Sequence, residues 1–195
     1  MPAAVRHAVT PVALAALAIA LLSGCTPDGD GTGPTSGPTT SPTPSSEPTP
    51  VPTDQPVGVP ITATCDELVS PETLYAYNPN FGLIDTFTPA DGSSAASALT
   101  YRGVACSWQN QTSGDTIDVS VAQLDEDSLT ALKNAAFEDS EMVPTYGEEA
   151  YFPVDSGVGV AQVFQGPFWI VAESKVFFEP GDATEIIQSV IAALE

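Results

Sequence analysis

Residues 26–60 cannot form a packed core, and this limits where the chain can fold. The stretch consists mainly of Pro, Thr, Ser and Gly and has almost no bulky apolar side chain. Such a composition buries too little apolar surface to offset the entropy lost on ordering. We predict a disordered, partly polyproline-like linker, in which Ser and Thr beside Pro also permit O-glycosylation. The fold is then confined to residues 61–195, the length of one domain.

The residues before Cys25 have the pattern of an export signal. Arg6 and His7 precede an uncharged, largely apolar stretch over residues 8–22. This stretch has about 15 residues, whereas a helix that spans a membrane needs roughly 20. We therefore predict a signal peptide over residues 1–24 rather than a retained membrane helix.

The four residues Leu22-Ser23-Gly24-Cys25 resemble the lipobox of bacterial lipoproteins. In that motif the cysteine thiol receives a diacylglyceryl group before cleavage. Each buried CH₂ contributes about 0.8 kcal/mol, so two or more acyl chains give lasting attachment. The resemblance implies lipidation at Cys25 and a location on the extracytoplasmic face of the cell membrane. The alternative is an ordinary secreted protein in which Cys25 is incidental.

The charge of the chain excludes one class of partner. There are 25 acidic residues against four Lys and Arg, and the formal net charge is −21. All the acidic residues follow Cys25, where the only cations are Arg102, Lys133 and Lys175. Affinity for phosphates comes from clustered Lys and Arg, so we expect no nucleic acid as a partner. The charge indicates either a solvated surface or attraction of cations or a basic partner.

The single histidine, His7, lies in the predicted signal peptide. Without histidine the remaining chain cannot form a Ser-His-Asp or Cys-His arrangement or an imidazole-ligated metal site. We therefore expect no catalytic residue, no metal site and no cofactor.

The hydrophobic pattern of residues 61–195 predicts an α+β fold. Helices are expected where capping residues precede apolar residues at helical spacing. The first helix covers residues 71–77 and is capped by Ser70. The second follows Asp125 and contains Leu129, Leu132 and Ala136, and the third has its apolar stripe over residues 186–194 behind a cap at Asp182. The acidic run at residues 125–127 is read as a helix cap, with a cation site as the alternative. Strands are expected over residues 105–109, 116–123, 149–152, 158–164 and 168–176. The first two form a hairpin with one buried face, and the whole is an antiparallel sheet with packed helices.

Two cysteines remain in the predicted domain, Cys65 and Cys106. An even pair in an oxidising compartment predicts a disulfide. Closing that loop would stabilise the fold by roughly 4 kcal/mol. The alternative, a reduced catalytic thiol, would have no histidine to activate it.

Three short motifs in the domain carry a family resemblance. They are Cys65-Asp66-Glu67-Leu68-Val69-Ser70, Cys106-Ser107-Trp108 and Gly147-Glu148-Glu149-Ala150-Tyr151. Together they resemble a family of uncharacterised actinobacterial lipoproteins, whose fold is similar to the extracytoplasmic sensor domains of some actinobacterial kinases. The resemblance covers most of residues 65–194, without a counterpart for residues 78–102. It implies the fold, the disulfide and a location in the cell envelope, and it carries no catalytic residues.

Three functions are compatible with these features. The first is a non-enzymatic module that binds or senses an envelope ligand or protein partner. Its candidate ligand contacts are five aromatic residues: Trp108, Trp169, Tyr75, Tyr77 and Tyr101. For both tryptophans the alternative role is packing in the core. The second is a carboxylate-based hydrolase of the envelope, for which no acidic pair is singled out. The third is a purely structural role in the envelope.

Overall fold

A computed structural model describes residues 58–195, which form an α+β fold of five helices and an eight-stranded antiparallel sheet. The helices are α1 (Cys65–Leu68), α2 (Pro71–Tyr77), α3 (Ser94–Thr100), α4 (Glu126–Asp139) and α5 (Pro180–Leu194). The strands are β1 (Gly58–Val59), β2 (Phe81–Leu83), β3 (Val104–Asn110), β4 (Thr116–Leu124), β5 (Glu149–Tyr151), β6 (Val154–Asp155), β7 (Val158–Gln165) and β8 (Phe168–Ser174). The predicted signal peptide, Cys25 and nearly all of the predicted linker lie outside the described residues.

The central strands of the sheet are joined in the order β2-β3-β4-β8-β7-β5. The short strands β1 and β6 pair with β4 and β7 respectively. Every pairing is antiparallel, and β4 lies between β3 and β8 over residues 117–121. The α+β prediction, with helices packed on an antiparallel sheet, is thus confirmed.

Helices cover both faces of this sheet. One face, which we call face 1, carries Ile117, Val119 and Val121 and packs against α1, α2 and α5. The opposite face, face 2, carries Ala122 and Leu124 and packs against α3 and α4. The predicted hairpin of β3 and β4 is confirmed. The prediction that only one of its faces is buried was wrong, because α3 and α4 bury polar alternate positions as well. Ser107 and Ser120, on face 2, are both buried.

The sequence predicts acidic caps for α4 and α5, and the structure confirms the first and corrects the second. Asp125 caps α4, and its carboxylate accepts a hydrogen bond of 2.8 Å from the backbone N–H of Ser128. The predicted cap of α5 at Asp182 was wrong, because the helix begins at Pro180. Asp182 lies in the first turn, and its carboxylate reaches back to accept the N–H groups of Phe178 and Glu179 at 2.7 and 3.0 Å. A carboxylate in the first turn of a helix can accept the free backbone N–H groups that precede the helix, as a residue at the cap position would accept those that follow it.

The structure confirms the disulfide between Cys65 and Cys106. Their Cα atoms are 5.6 Å apart, and 41 positions separate them in the chain. The bond attaches the start of α1 to β3 at the edge of the face 1 core. It thereby holds the segment before α2 against the sheet.

Two ends of the domain can be distinguished along the strands. At the end that we call the entry end, Gly58 pairs with Leu124 and the N–H of Leu124 donates to the carbonyl of Pro167. The last turn of α5 also lies beside Pro167. At the opposite, distal end lie the first residue of β7, the last residue of β8 and the start of α5. Since α5 has 15 residues and rises about 1.5 Å per residue, the ends are roughly 20 Å apart.

Candidate functional site

The two tryptophans predicted as candidate contacts lie in the core. Trp108 is 1% exposed on face 1, and Trp169 is 4% exposed on face 2. The indole N–H of Trp169 donates to Oε1 of Gln162 at 2.8 Å, so its polar atom is satisfied internally. The sheet separates the two rings, and they cannot line one surface together.

The three candidate tyrosines are more accessible but do not converge. Tyr75 is exposed on α2, whereas Tyr77 is partly buried with its ring centroid 6.1 Å from that of Phe81. Burial, followed by the charges of Asp182 and Glu185, raises the pKa of Tyr77 above its ordinary value. Tyr101 follows α3 and packs against the face 2 core. Ligand contact by any of the five aromatic residues stays a prediction.

A groove that the sequence did not predict lies towards the distal end, and we call it the distal groove. It has a volume of about 540 Å³. Residues 141–145 form one wall, and Phe152 and Pro180 form the other. It therefore lies between the outer edge of the sheet and the start of α5.

Specific hydrogen bonds hold the walls of the distal groove. The N–H of Val143 donates to the carbonyl of Ala150 at 2.7 Å, which fixes the first wall to β5. The hydroxyl of Tyr146 donates to the carbonyl of Pro180, and Nε2 of Gln188 donates to the carbonyl of Tyr146 at 2.9 Å. Burial, with a smaller contribution from Asp182, raises the pKa of the Tyr146 hydroxyl, which therefore stays protonated as a donor. The groove is thus formed before any ligand arrives.

Large apolar side chains stand exposed in and beside this groove. Met142, in the wall, is 59% exposed, and Phe178, two residues before Pro180, is 79% exposed. Val154, two residues beyond Phe152, is 55% exposed. Of these three side chains, Met142 lines the groove, whereas Phe178 and Val154 lie close in the chain to its lining residues Pro180 and Phe152. Exposed apolar surface that is larger than usual marks interaction sites. This surface is therefore the strongest candidate for contact with another molecule.

A pair of carboxyl groups lies in a second, smaller pocket at the distal end. Asp118 of β4 is directly opposite Glu173 of β8, so their side chains are neighbours on face 2. They line a pocket of about 250 Å³ together with Thr116, Ser174 and Lys175. The hydroxyl of Ser107 donates to Oδ1 of Asp118 at 2.5 Å. We call Asp118 and Glu173 the distal carboxyl pair.

Both members of the pair resist ionisation. Burial raises the pKa of Asp118, against the opposing effect of hydrogen bonds from Ser107 and Thr116. Burial also raises the pKa of Glu173, and the neighbouring charge of Asp118 raises it further. Two carboxylates that share a partly desolvated site cannot both ionise without cost. The pair therefore costs stability at neutral pH.

This cost makes the effect of Glu173→Gln depend on pH. A group whose folded pKa is raised contributes stability below its unfolded pKa, about 4.3 for glutamate, and loses it as pH rises through the folded value. Glutamine resembles the protonated acid, so we expect Glu173→Gln to raise the melting temperature at pH 7 to 8. The gain should shrink to nothing near pH 4.

Thermal unfolding across pH 4 to 8 measures the effect. Asp155→Asn, which removes one charge from the exposed strand β6, is the matched control and should not reproduce this pH-dependent gain. A gain for Glu173→Gln that is equal at pH 4 and pH 8 would contradict the raised pKa.

The chain was compared with known families, proteins and structures. No family model, no curated protein and no solved structure matches the chain. Within residues 58–195, no helix has the length and apolar character needed to cross a membrane. The same residues contain no cluster of three or more His, Cys, Asp or Glu that could hold a metal ion.

Proposed function

We propose that the chain is a lipoprotein anchored at Cys25 on the extracytoplasmic face of the cell membrane. Its α+β domain is a non-enzymatic binding module that contacts a protein partner in the envelope through the distal groove. The observation that carries the proposal is the preformed groove with Met142 and Phe178 exposed beside it.

The position of the groove supports this function. The chain enters the domain at Gly58, and the predicted linker over residues 26–60 leads from the anchor to that point. A polyproline-like linker extends about 3.1 Å per residue, so it could hold the domain roughly 100 Å from its anchor. The groove lies at the opposite end of the domain from Gly58.

The proposed kinship is with the uncharacterised actinobacterial lipoproteins and, more distantly, with kinase sensor domains. It rests on the leading Cys65 motif and the Cys106-Ser107-Trp108 strand. The disulfide between Cys65 and Cys106 is the feature of that family which this domain shares. A sensing role would use the same groove.

Site-specific photocrosslinking in intact cells tests the proposed contact. A benzophenone amino acid placed at Met142 or at Phe178 should give a discrete protein adduct. The same group at Leu99, an exposed apolar residue of α3 on the face 2 side, is the matched control and should give none. Adducts of equal yield from all three positions, or from Leu99 alone, would contradict a partner in the groove.

The distal carboxyl pair favours a second candidate function, a carboxylate-based hydrolase. Glycosidases use two carboxyl groups, one of which needs a raised pKa to act as an acid. Asp118 and Glu173 meet the requirement for a raised pKa. Against this role, Ser107 already occupies one oxygen of Asp118, and the pocket of about 250 Å³ is small for a glycan chain. Turnover of peptidoglycan or glycan substrates that Glu173→Gln abolishes, without a fall in melting temperature, would favour the hydrolase.

A further inference from the structure

The chemistry of the distal groove indicates which kind of partner it accepts. Its volume of about 540 Å³ falls within the range of about 300 to 1,000 Å³ that small-molecule pockets span. Phe152 and Val143 contribute apolar surface while packing against the face 1 core. The floor can therefore receive one or two large apolar side chains.

The rim of the groove is acidic. Glu141 lies in the first wall, and Glu179 is the residue before Pro180 in the chain; both residues are exposed. The Glu179 side chain also accepts the backbone N–H of Asp182 in the capping box of α5. Among the described residues, those that line the groove include Glu141 but no Lys or Arg. The carboxylate of Glu141 in the wall and that of Glu179 next to it in the chain create a negative potential near an apolar floor, which steers and orients a cationic partner.

The same charge argues against the other occupants of an apolar groove. A second copy of the chain would bring Glu141 and Glu179 of each copy towards a surface of like charge, and the chain as a whole has a net charge of −21. An anionic lipid surface would meet the same repulsion. Like-charge contacts across an interface are unfavourable, so both occupants are disfavoured.

We propose that the distal groove docks a basic amphipathic segment of the partner protein. An apolar side chain of that segment enters the groove beside Met142 and contacts the exposed ring of Phe178, and flanking Lys or Arg side chains pair with Glu141 and Glu179. This inference rests on the proposed function and adds the chemical class of the partner. Contact at a groove through an apolar anchor with a charged rim is a common arrangement of interface hot spots.

Three synthetic peptides separate the apolar component of the interaction from the charged component. The first alternates Lys with Leu, the second alternates Glu with Leu, and the third alternates Lys with Ser. Fluorescence anisotropy is measured against the full-length chain in a neutral detergent, with detergent alone as the blank. We expect the Lys/Leu peptide to bind at least tenfold more tightly than either of the others. Its affinity should fall as salt rises from 0.05 to 0.5 M, because the rim charges are exposed.

Matched variants locate the binding on the groove. Phe178→Ser and Met142→Ser should each weaken binding of the Lys/Leu peptide at least tenfold. Glu141→Gln together with Glu179→Gln should weaken it and flatten its dependence on salt. Leu99→Ser and Glu126→Gln, which make the same changes at exposed positions of α3 and α4, are the controls and should leave the affinity within twofold.

Any other outcome would contradict a particular part of the inference. Lys/Leu binding that the groove variants do not change would mean general adsorption to an acidic surface and would overturn the inference. Equal binding of the Glu/Leu peptide would overturn the basic character of the partner. Self-association of the chain that Phe178→Ser abolishes would make a second copy the occupant. If no peptide binds but crosslinks from Met142 and Phe178 persist, the inference fails while the proposed function stands.

Discussion

Replacement of Cys65 and Cys106 together by alanine should lower the free energy of unfolding by about 4 kcal/mol. The disulfide closes a loop between positions 41 residues apart, and its loss frees the unfolded chain to adopt many more conformations. For a domain of this size the melting temperature should fall by roughly 10 to 20 °C. Because the effect acts through the unfolded state, the folded domain should keep its circular dichroism spectrum at low temperature.

Chemical reduction provides the control for this variant. Equilibrium unfolding in urea should show the wild-type chain shifting towards the double variant when a reductant is added. The double variant itself should not respond to the reductant. Unchanged stability of the double variant would show that the bond contributes little, and a loss of fold at all temperatures would assign it a role beyond the loop.

Replacement of Cys25 by alanine should abolish anchoring altogether. On the proposed function the thiol of Cys25 is the acylation point, and the acyl chains attach the exported chain to the membrane. The variant should accumulate as an unprocessed precursor or appear in the medium. Cell fractionation and the intact mass of the N-terminal peptide measure this result.

The disulfide variant is the matched control for anchoring. It also lacks cysteine thiols, yet it should still be recovered with the membrane fraction, because Cys65 and Cys106 lie in the domain. The Cys25 variant should in turn keep the melting temperature of the domain. Recovery of the Cys25 variant in the membrane fraction, with unchanged cleavage, would overturn the proposed lipid anchor.

The parts of the fold that the sequence predicts are those that depend on local signals. Period-two alternation at Ile117, Val119 and Val121 predicts β4, and the stripe of Ile186, Ile187 and Val190 predicts α5. The short helix α3 was missed, because Ser94–Thr100 is built of small and polar residues without a strong apolar stripe. Only the cap at Ser93, whose hydroxyl accepts the N–H of Ala96, signals its start.

The two candidate sites depend on contacts that no local pattern contains. The distal groove closes through the hydroxyl of Tyr146 on Pro180, a contact across 34 positions of the chain. The alternation in β4 predicts that Asp118 faces solvent. In the structure α3 and α4 pack on that face of the sheet, and the strand register places Glu173 opposite Asp118. A register between strands so distant in sequence follows from tertiary packing, and side-chain spacing alone does not specify it.

The location of Gly58 and of the last turn of α5 at the same end of the domain has a practical consequence for protein engineering. Because the described residues start and finish at the entry end, the domain can be inserted as a guest into a surface loop of a host protein through two short connectors. The same arrangement permits a circular permutant in which a Gly/Ser connector joins these points and new termini open at the exposed turn around Gly114. Such a permutant would present the groove surface in a different direction relative to its attachment.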